Sequence, residues 1–278
     1  GHAVPALKKG YHLLLEKPVA IDTKGCLEVL RMAREYKLHV VVCHVLRYTP
    51  FYNTIKQFIE AGRIGEVVTI QAMEQVGYWH HAHSYVRGNW RRADQSSPMI
   101  LAKCCHDMDI LLWLAGKRAR WVSSYGSNYL FQEAHAPEGS AERCFDCAVR
   151  ETCPYDAVRY YLESERTSVK AGRVHWPINV LSPNPTSETI EHALRTGPYG
   201  RCVYHCDNDV VDHQVVNMQL EDGVTVNFTM SAFTERCYRT IKVMGTHGCI
   251  EGNMDDSHLV WNDFFGHRED IDLKVTDG

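Results

Sequence analysis

The order of apolar and polar positions at the start of the chain predicts a parallel α/β unit. Two short apolar runs occupy residues 11–15 and 39–43, and an amphipathic segment capped by Asp22 or Thr23 lies between them. Unbroken runs of this length are typical of strands buried on both faces, and a strand–helix–strand order implies parallel pairing. Ligands bind at the carboxyl ends of the strands in such sheets, where this sequence places polar segments.

From about residue 50 the pattern changes to alternation, which predicts half-exposed strands. Strands are predicted at residues 67–75, 120–129, 210–220, 224–231, 238–245 and 249–253, with a hairpin turn at 221–223. We expect one helix from Pro50 to about Ala61. A second is expected from Ser97 to Leu114, because a serine cap and a first-turn proline begin it and Gly116 ends it. This part of the chain is therefore expected to contain a large, mainly antiparallel sheet flanked by helices.

Residues from about 133 to 206 interrupt the strand pattern. They are rich in cysteine, proline, serine and charged residues and show one clear helix, from Pro154 to about Ser164. A segment of this length with little regular structure is typical of an insertion.

Composition and charge narrow the classes of partner. The 278 residues carry a formal net charge of −4 with both signs mixed and no long basic run, which argues against nucleic acid and against a membrane-surface helix. No apolar run approaches the roughly 18 residues of a membrane span, and the first ten residues lack the apolar core of a secretory signal. The eleven cysteines are odd in number and several lie in apolar runs, which favours a reducing compartment. We expect a cytoplasmic protein that acts on a small molecule.

Three short motifs follow one another in a characteristic order. Glu-Lys-Pro at 16–18 ends the first strand, Arg-Tyr-x-Pro at 47–50 follows the second, and His-x-x-Asp at 106–109 lies in the second long helix. The longer patterns at 10–18 (Gly-Tyr-His-x-Leu-x-Glu-Lys-Pro) and 245–252 (Gly-Thr-x-Gly-x-Ile-x-Gly) extend the set. Through its whole length the chain resembles the glucose-fructose oxidoreductase / inositol dehydrogenase (Gfo/Idh/MocA) family.

The resemblance implies a domain organisation. Proteins of this family begin with a dinucleotide-binding Rossmann fold, and this sequence starts near its fourth or fifth strand. No G-x-G-x-x-G motif occurs in the 278 residues, so we expect about 70 to 90 residues to precede them. Residues 1–48 would then be the C-terminal part of a Rossmann domain. Residues 49–278 would form a substrate-binding, catalytic α+β domain that carries the cysteine-rich insertion and lacks an evident closing element.

The resemblance also implies an activity, hydride transfer between NAD or NADP and a sugar, inositol or related polyol. The family's lysine is Lys17, which would hold the substrate hydroxyl and stabilise negative charge on its oxygen. Glu16 and Pro18 would shape the turn beside the cofactor, with Lys17, Arg47 and Tyr48 as further cofactor contacts.

His106 is the expected acid–base residue, because a neutral imidazole can take the hydroxyl proton as hydride leaves; a purely structural buried histidine is the alternative. Asp109 lies on the same helix face and would orient the imidazole or a sugar hydroxyl. The family usually places an aspartate four residues before the histidine, and Ala102 stands there. Lys103, one turn before His106, would favour neutral imidazole and bind a sugar hydroxyl or carboxylate.

Three of these assignments have plain structural alternatives. Lys103 and Asp109 can equally form a salt-bridged pair or surface charges of a helix. His213, in an apolar setting on a predicted strand, either faces the substrate or is structural.

The cysteines of the insertion have metal-ligand spacing. A structural zinc site is predicted at Cys144, Cys147, Cys153 and Cys202, with Cys206 as another candidate for the fourth ligand, and an iron–sulfur cluster is the less favoured occupant. A metal would supply folding free energy to a segment with few apolar residues. The alternative is that these are reduced thiols or an occasional disulfide.

Two other functions fit the same architecture. One is an NAD-dependent glycosidase, in which transient oxidation of a ring carbon allows elimination of the leaving group. The other is a non-catalytic sensor of a nucleotide or sugar. Family members commonly associate through the open sheet of the second domain, so the resemblance implies a homodimer or homotetramer.

Overall fold

The computed structural model describes residues 2–273. Its α-helices are α1 (Ala3–Lys8), α2 (Thr23–Glu35), α3 (Pro50–Glu60), α4 (Tyr78–His81), α5 (Met99–Ala102), α6 (Cys105–Ala115) and α7 (Ser187–Thr196). Its strands are β1 (Leu13–Leu15), β2 (Val40–Val42), β3 (Val67–Gln75), β4 (Ala119–Ser127), β5 (His213–Leu220), β6 (Thr225–Ser231), β7 (Tyr238–Gly245), β8 (Gly248–Asn253), β9 (His258–Asp263) and β10 (Arg268–Asp272). Two π-helical segments, Ala82–Arg87 and Arg159–Glu163, and several short 3₁₀ turns complete the secondary structure.

The first sheet is the predicted parallel unit. β1 and β2 pair in parallel, with Leu14 opposite Val41, and α2 begins where the side chain of Asp22 accepts a hydrogen bond from the Gly25 N–H at 2.7 Å. One side of the strand pair packs on α1 and α2. Leu14 and Val41 are exposed on the other side, so a face of this sheet that parallel sheets normally cover is open.

The second sheet has eight strands in the order β10-β9-β8-β7-β3-β6-β5-β4. β3 and β6 pair in parallel and the other neighbours pair antiparallel, which confirms a large, mainly antiparallel sheet. Ile70, Val226 and Val243 point to one face and are buried, because the apolar sides of α3 and α6 pack on that face. The opposite face is open and includes Trp121 and Tyr125 of the edge strand β4.

The predicted helix from Ser97 to Leu114 is broken in two, which corrects the prediction. α5 ends at Ala102, and α6 begins at Cys105. Two lysines make contacts at the break with residues that are distant in sequence. Lys103 pairs with Glu74 of β3, and the Lys17 side chain donates to the Ala102 carbonyl. In an unbroken helix that carbonyl would accept from the N–H of residue 106.

Four further elements differ from the predictions. The closing strands β9 and β10 were not predicted; β10 reads Arg-Glu-Asp-Ile-Asp and lies at the sheet edge, so it carries almost no apolar signal. α7 was also not predicted, although Thr186 caps it through the Thr189 N–H. The predicted helix at 154–164 is a shorter segment that ends in a π-helix. The described residues include no helix long and apolar enough to cross a membrane.

Candidate active site

Lys17, which follows the first sheet, and His106, which lies on helix α6, meet at the break between α5 and α6. Lys17 follows β1, and its Nζ donates to the backbone oxygen of Ala102 at 3.1 Å. His106 lies in the first turn of α6, and its Nδ1 is buried without a hydrogen-bond partner in the described part of the chain. Burial first, and then the positive charges of Lys17 and Arg239, lower the pKa of His106 to about 4. The imidazole is therefore neutral at physiological pH.

Asp109 is directed to the first sheet. Its carboxylate accepts two hydrogen bonds from Arg47, at 2.7 and 2.5 Å, and lies 3.8 Å from Nδ1 of His44. His44 in turn stands edge-on to His106, with ring centroids 6.2 Å apart. Asp109 thus links the segment after β2 to α6. His44 lies between its carboxylate and the His106 ring. The sequence placed His44 at a strand's carboxyl end but did not single it out.

A buried cluster of charges lies beside His106. Lys103 Nζ is 3.3 Å from Glu74 Oε1, and Arg239 Nε lies 2.7 Å from Glu74 Oε2 and 2.8 Å from Asp107 Oδ1. Glu74 and Arg239 face each other across β3 and β7. Burial raises the pKa of Glu74, against the effect of the two cations. Sequence reasoning missed Glu74, Asp107 and Arg239. For Glu74 and Arg239 the signal was a charged residue near one end of an otherwise half-apolar strand.

His80, just beyond β3, extends the site toward the insertion. Its Nδ1 lies 3.4 Å from Cys237 Sγ, and its ring meets Trp176 edge-on with centroids 4.9 Å apart. Burial and then the charge of Lys103 lower the pKa of His80 to about 3. A second neutral imidazole, absent from the sequence-based candidates, therefore lies within the influence of Arg239, which also acts on His106.

The other predicted cofactor and substrate residues are placed as follows. The bond between Lys17 and Pro18 is cis, Glu16 is exposed, and Tyr48 has 79% of its surface exposed. His213 is half exposed at the start of β5, where its Nδ1 lies 2.8 Å from the buried Asp212. These roles stay predictions.

The predicted zinc site is not supported. The guanidinium of Arg87 is buried among the cysteines, donating to the carbonyls of Arg201 and Tyr155 at 2.8 and 2.7 Å and to Cys144 Sγ at 3.7 Å. Within residues 2–273 no group of three or more His, Cys, Asp or Glu side chains is placed to hold a metal ion. Burial raises the pKa of Cys202 to about 11. Of the four predicted zinc ligands, Cys144, Cys147, Cys153 and Cys202, the buried cation lies close to Cys144, Cys153 and Cys202.

Comparison with known proteins is consistent with this geometry. The model of the oxidoreductase family's C-terminal alpha/beta domain matches residues 56–272. The putative oxidoreductase YteT of Bacillus subtilis is 24% identical over 91% of the chain and 57% of its own length. Inositol 2-dehydrogenase of Corynebacterium glutamicum is 29% identical over 41% of the chain and 31% of its own length.

A solved levoglucosan dehydrogenase, in complex with NADH and levoglucosan, has the same fold, with a TM-score of 0.64, 14% identity and coverage of 97% of this chain and 56% of that one. The chain thus spans little more than half the length of YteT or of this solved structure. Its matched C-terminal domain and its motif order place the chain in the glucose-fructose oxidoreductase / inositol dehydrogenase family of oxidoreductases.

Proposed function

We propose that the chain forms the substrate-binding, catalytic part of an NAD(P)-dependent dehydrogenase that acts on a sugar, inositol or related polyol. The observation that carries the proposal is the meeting of the Lys17 ammonium with a neutral His106 imidazole at the break between α5 and α6. An ammonium and a neutral base side by side are the two groups that oxidation of a carbinol requires. The names of the relatives, an inositol dehydrogenase and a levoglucosan dehydrogenase, support the substrate class.

Lys17 and His106 would divide the chemistry between them. The nicotinamide, when bound, accepts the hydride. Lys17 directs one N–H to Ala102, and an ammonium has three donors, so two remain for the oxygen of the reacting hydroxyl. His106 takes the hydroxyl proton, and Lys17 stabilises the negative charge that develops on the oxygen. The hydrogen bond that Arg47 donates to Asp109 fixes α6 against the segment after β2, and so fixes the position of His106.

The residues at the ends of β1 and β2 fit the reactive end of a nicotinamide cofactor. Both strands are parallel and finish at the same edge, where open α/β sheets bind their ligands. Lys17, Pro18, Arg47 and Tyr48 would form this contact, with Glu16 shaping the turn. The 278 residues hold no G-x-G-x-x-G loop. We therefore propose that the cofactor phosphates bind to a part of the natural protein outside these residues.

The open face of the eight-stranded sheet fits self-association. Trp121, 71% exposed, and Tyr125 lie on this face, and an exposed row of this kind marks an interaction surface. We propose a homodimer or homotetramer that uses it. The eleven free cysteines fit a cytoplasmic location.

The test is NAD(P)H absorbance with a panel of sugars, inositols and sugar acids, using the natural protein that contains this chain. We expect turnover that is lost in His106→Asn and kept in Lys117→Met, because Lys117 pairs with the exposed Asp222 of the hairpin turn at 221–223. Turnover that His106→Asn leaves intact would contradict the assignment of the base. Release of free sugar from a synthetic glycoside without net NADH would favour the glycosidase.

A further inference from the structure

The charges around His106 do not balance. The group of charges that includes its neighbours contains three cations, Lys17, Lys103 and Arg239, and two carboxylates, Glu74 and Asp107. Lys17, Arg239 and Asp107 act on the imidazole directly, and Lys103 joins the group through Glu74, which also pairs with Arg239. One positive charge is left over. The nearby pair of Arg47 and Asp109 is neutral as a whole and does not change this.

Two histidines on separate elements lie close to these cations. Burial is the largest cause that lowers the pKa of each: Lys17 and Arg239 lower the pKa of His106, on α6, further, and Lys103 and, more weakly, Arg239 lower the pKa of His80, just beyond β3. Both rings are neutral at physiological pH and add no positive charge of their own. A net cationic, partly buried site favours a ligand that brings a negative charge.

Lys103 is the cation best placed to receive that charge. Arg239 is held by two carboxylates, Glu74 and Asp107, and the proposed function commits Lys17 to the reacting hydroxyl. In the described residues Glu74 is the carboxylate within ion-pair distance of Lys103. The Lys103 side chain is 18% exposed, so it is reachable from solvent yet mostly shielded from it, which strengthens a charge-assisted hydrogen bond.

We infer that Lys103 binds a carboxylate of the substrate, and hence that the substrate is a sugar acid, such as a uronate or an aldonate. The inference rests on the proposed function, because it places the reacting hydroxyl at Lys17 and His106 and the carboxylate at Lys103. A charge-assisted hydrogen bond of this kind typically contributes about 1.5 to 3 kcal/mol, which corresponds to about 10- to 100-fold in affinity or rate.

Matched substrates test the inference. With the natural protein and NAD(P), we expect kcat/KM for D-galacturonate or D-gluconate to exceed that for D-galactose or D-glucitol by about tenfold or more. Lys103→Met should lower that ratio by about 10- to 100-fold, Lys103→Arg should keep most of it, and Lys117→Met should leave it unchanged. Equal kcat/KM for acid and neutral substrates, or an acid preference that Lys103→Met leaves intact, would overturn the carboxylate assignment while the dehydrogenase stands.

A binding measurement separates the two proposals. Isothermal titration of the chain with D-galacturonate and with the neutral D-galacturonamide needs no turnover. Tighter binding of the acid that Lys103→Met abolishes supports the carboxylate site even where no substrate is oxidised. Equal binding of acid and amide, or binding of neither, overturns it.

Discussion

The Nζ of Lys17 donates a hydrogen bond to the backbone oxygen of Ala102 across 3.1 Å. This bond joins the end of β1 to the end of α5 and positions the ammonium next to the first turn of α6. Ala102 stands where the family resemblance implies an aspartate as partner of the histidine, and its contact with Lys17 is made through the main-chain carbonyl. The meeting of lysine and histidine therefore depends on the break in the helix.

The charge of Lys17 should be measurable at His106. In Lys17→Met, we expect the pKa of His106 to rise from about 4 toward its ordinary value, because a cation that favours neutral imidazole is removed. The acid limb of a kcat/KM profile should move the same way, since protonated His106 cannot accept a proton. Titration of the His106 ring signals by NMR measures the shift. An unchanged pKa of His106 in Lys17→Met would show that Lys17 does not act on the imidazole, and Lys117→Met serves as the lysine control.

The pair of Asp107 and Arg239 should contribute strongly to stability. Both side chains are largely buried, and Asp107→Ala leaves Arg239 with Glu74, whose own pKa burial raises. Removing one partner of a buried pair typically costs about 3 to 5 kcal/mol. Urea unfolding should show such a loss in Asp107→Ala and little change in Asp94→Ala, which removes an exposed partner of Arg92. Similar urea unfolding curves for Asp107→Ala and Asp94→Ala would contradict a strong contribution of the buried pair to stability.

His81 should make the fold sensitive to acid. It is fully buried between Tyr85 and Phe131, neither ring nitrogen has a partner in the described residues, and burial lowers its pKa to about 4. The unfolded chain binds this proton below about pH 6.5 and the folded chain only below about pH 4. Stability is therefore lost as pH falls from 6.5 to 4, by up to about 1.4 kcal/mol per pH unit.

His81→Phe keeps the stacked ring and removes the titrating group. We expect higher stability than in the parent at pH 5 and a smaller decline of the melting temperature between pH 7 and pH 4.5. If the melting temperature of His81→Phe falls as steeply as that of the parent, the acid sensitivity comes from other groups. His80 and His83 are examples, because burial also lowers their pKa values.

Arg87 should anchor the insertion in the place of a metal. Its guanidinium joins the carbonyls of Tyr155 and Arg201, so Arg87→Met leaves buried acceptors unpaired and should cost about 3 kcal/mol or more. Limited proteolysis should then cut within residues 133–206 first. A chelator should leave the parent's melting temperature unchanged. A fall in that temperature on chelation, with zinc bound stoichiometrically, would restore the zinc prediction.

The sequence was informative wherever the signal is local. The strand at 67–75 was predicted to the residue, the parallel pairing of the first two strands is confirmed, and Lys17 follows the first strand as expected. His106 was expected inside one long helix and instead lies in the first turn of α6. The helix break at Lys103 was not predictable, because it depends on Lys17 and Glu74, which are distant in sequence. Cysteine spacing predicted a zinc site. The prediction failed because spacing alone does not show that Arg87, from another segment, lies among the thiols.

The most direct measurement is single-turnover hydride transfer in Lys17→Met, His106→Asn and the double variant, with saturating cofactor and a substrate that the parent oxidises. Each single change should lower the rate by about 10² or more, and the double variant should be little slower than the slower single variant, because the two groups act on one hydroxyl. A single variant that transfers hydride at the parent's rate would contradict the account.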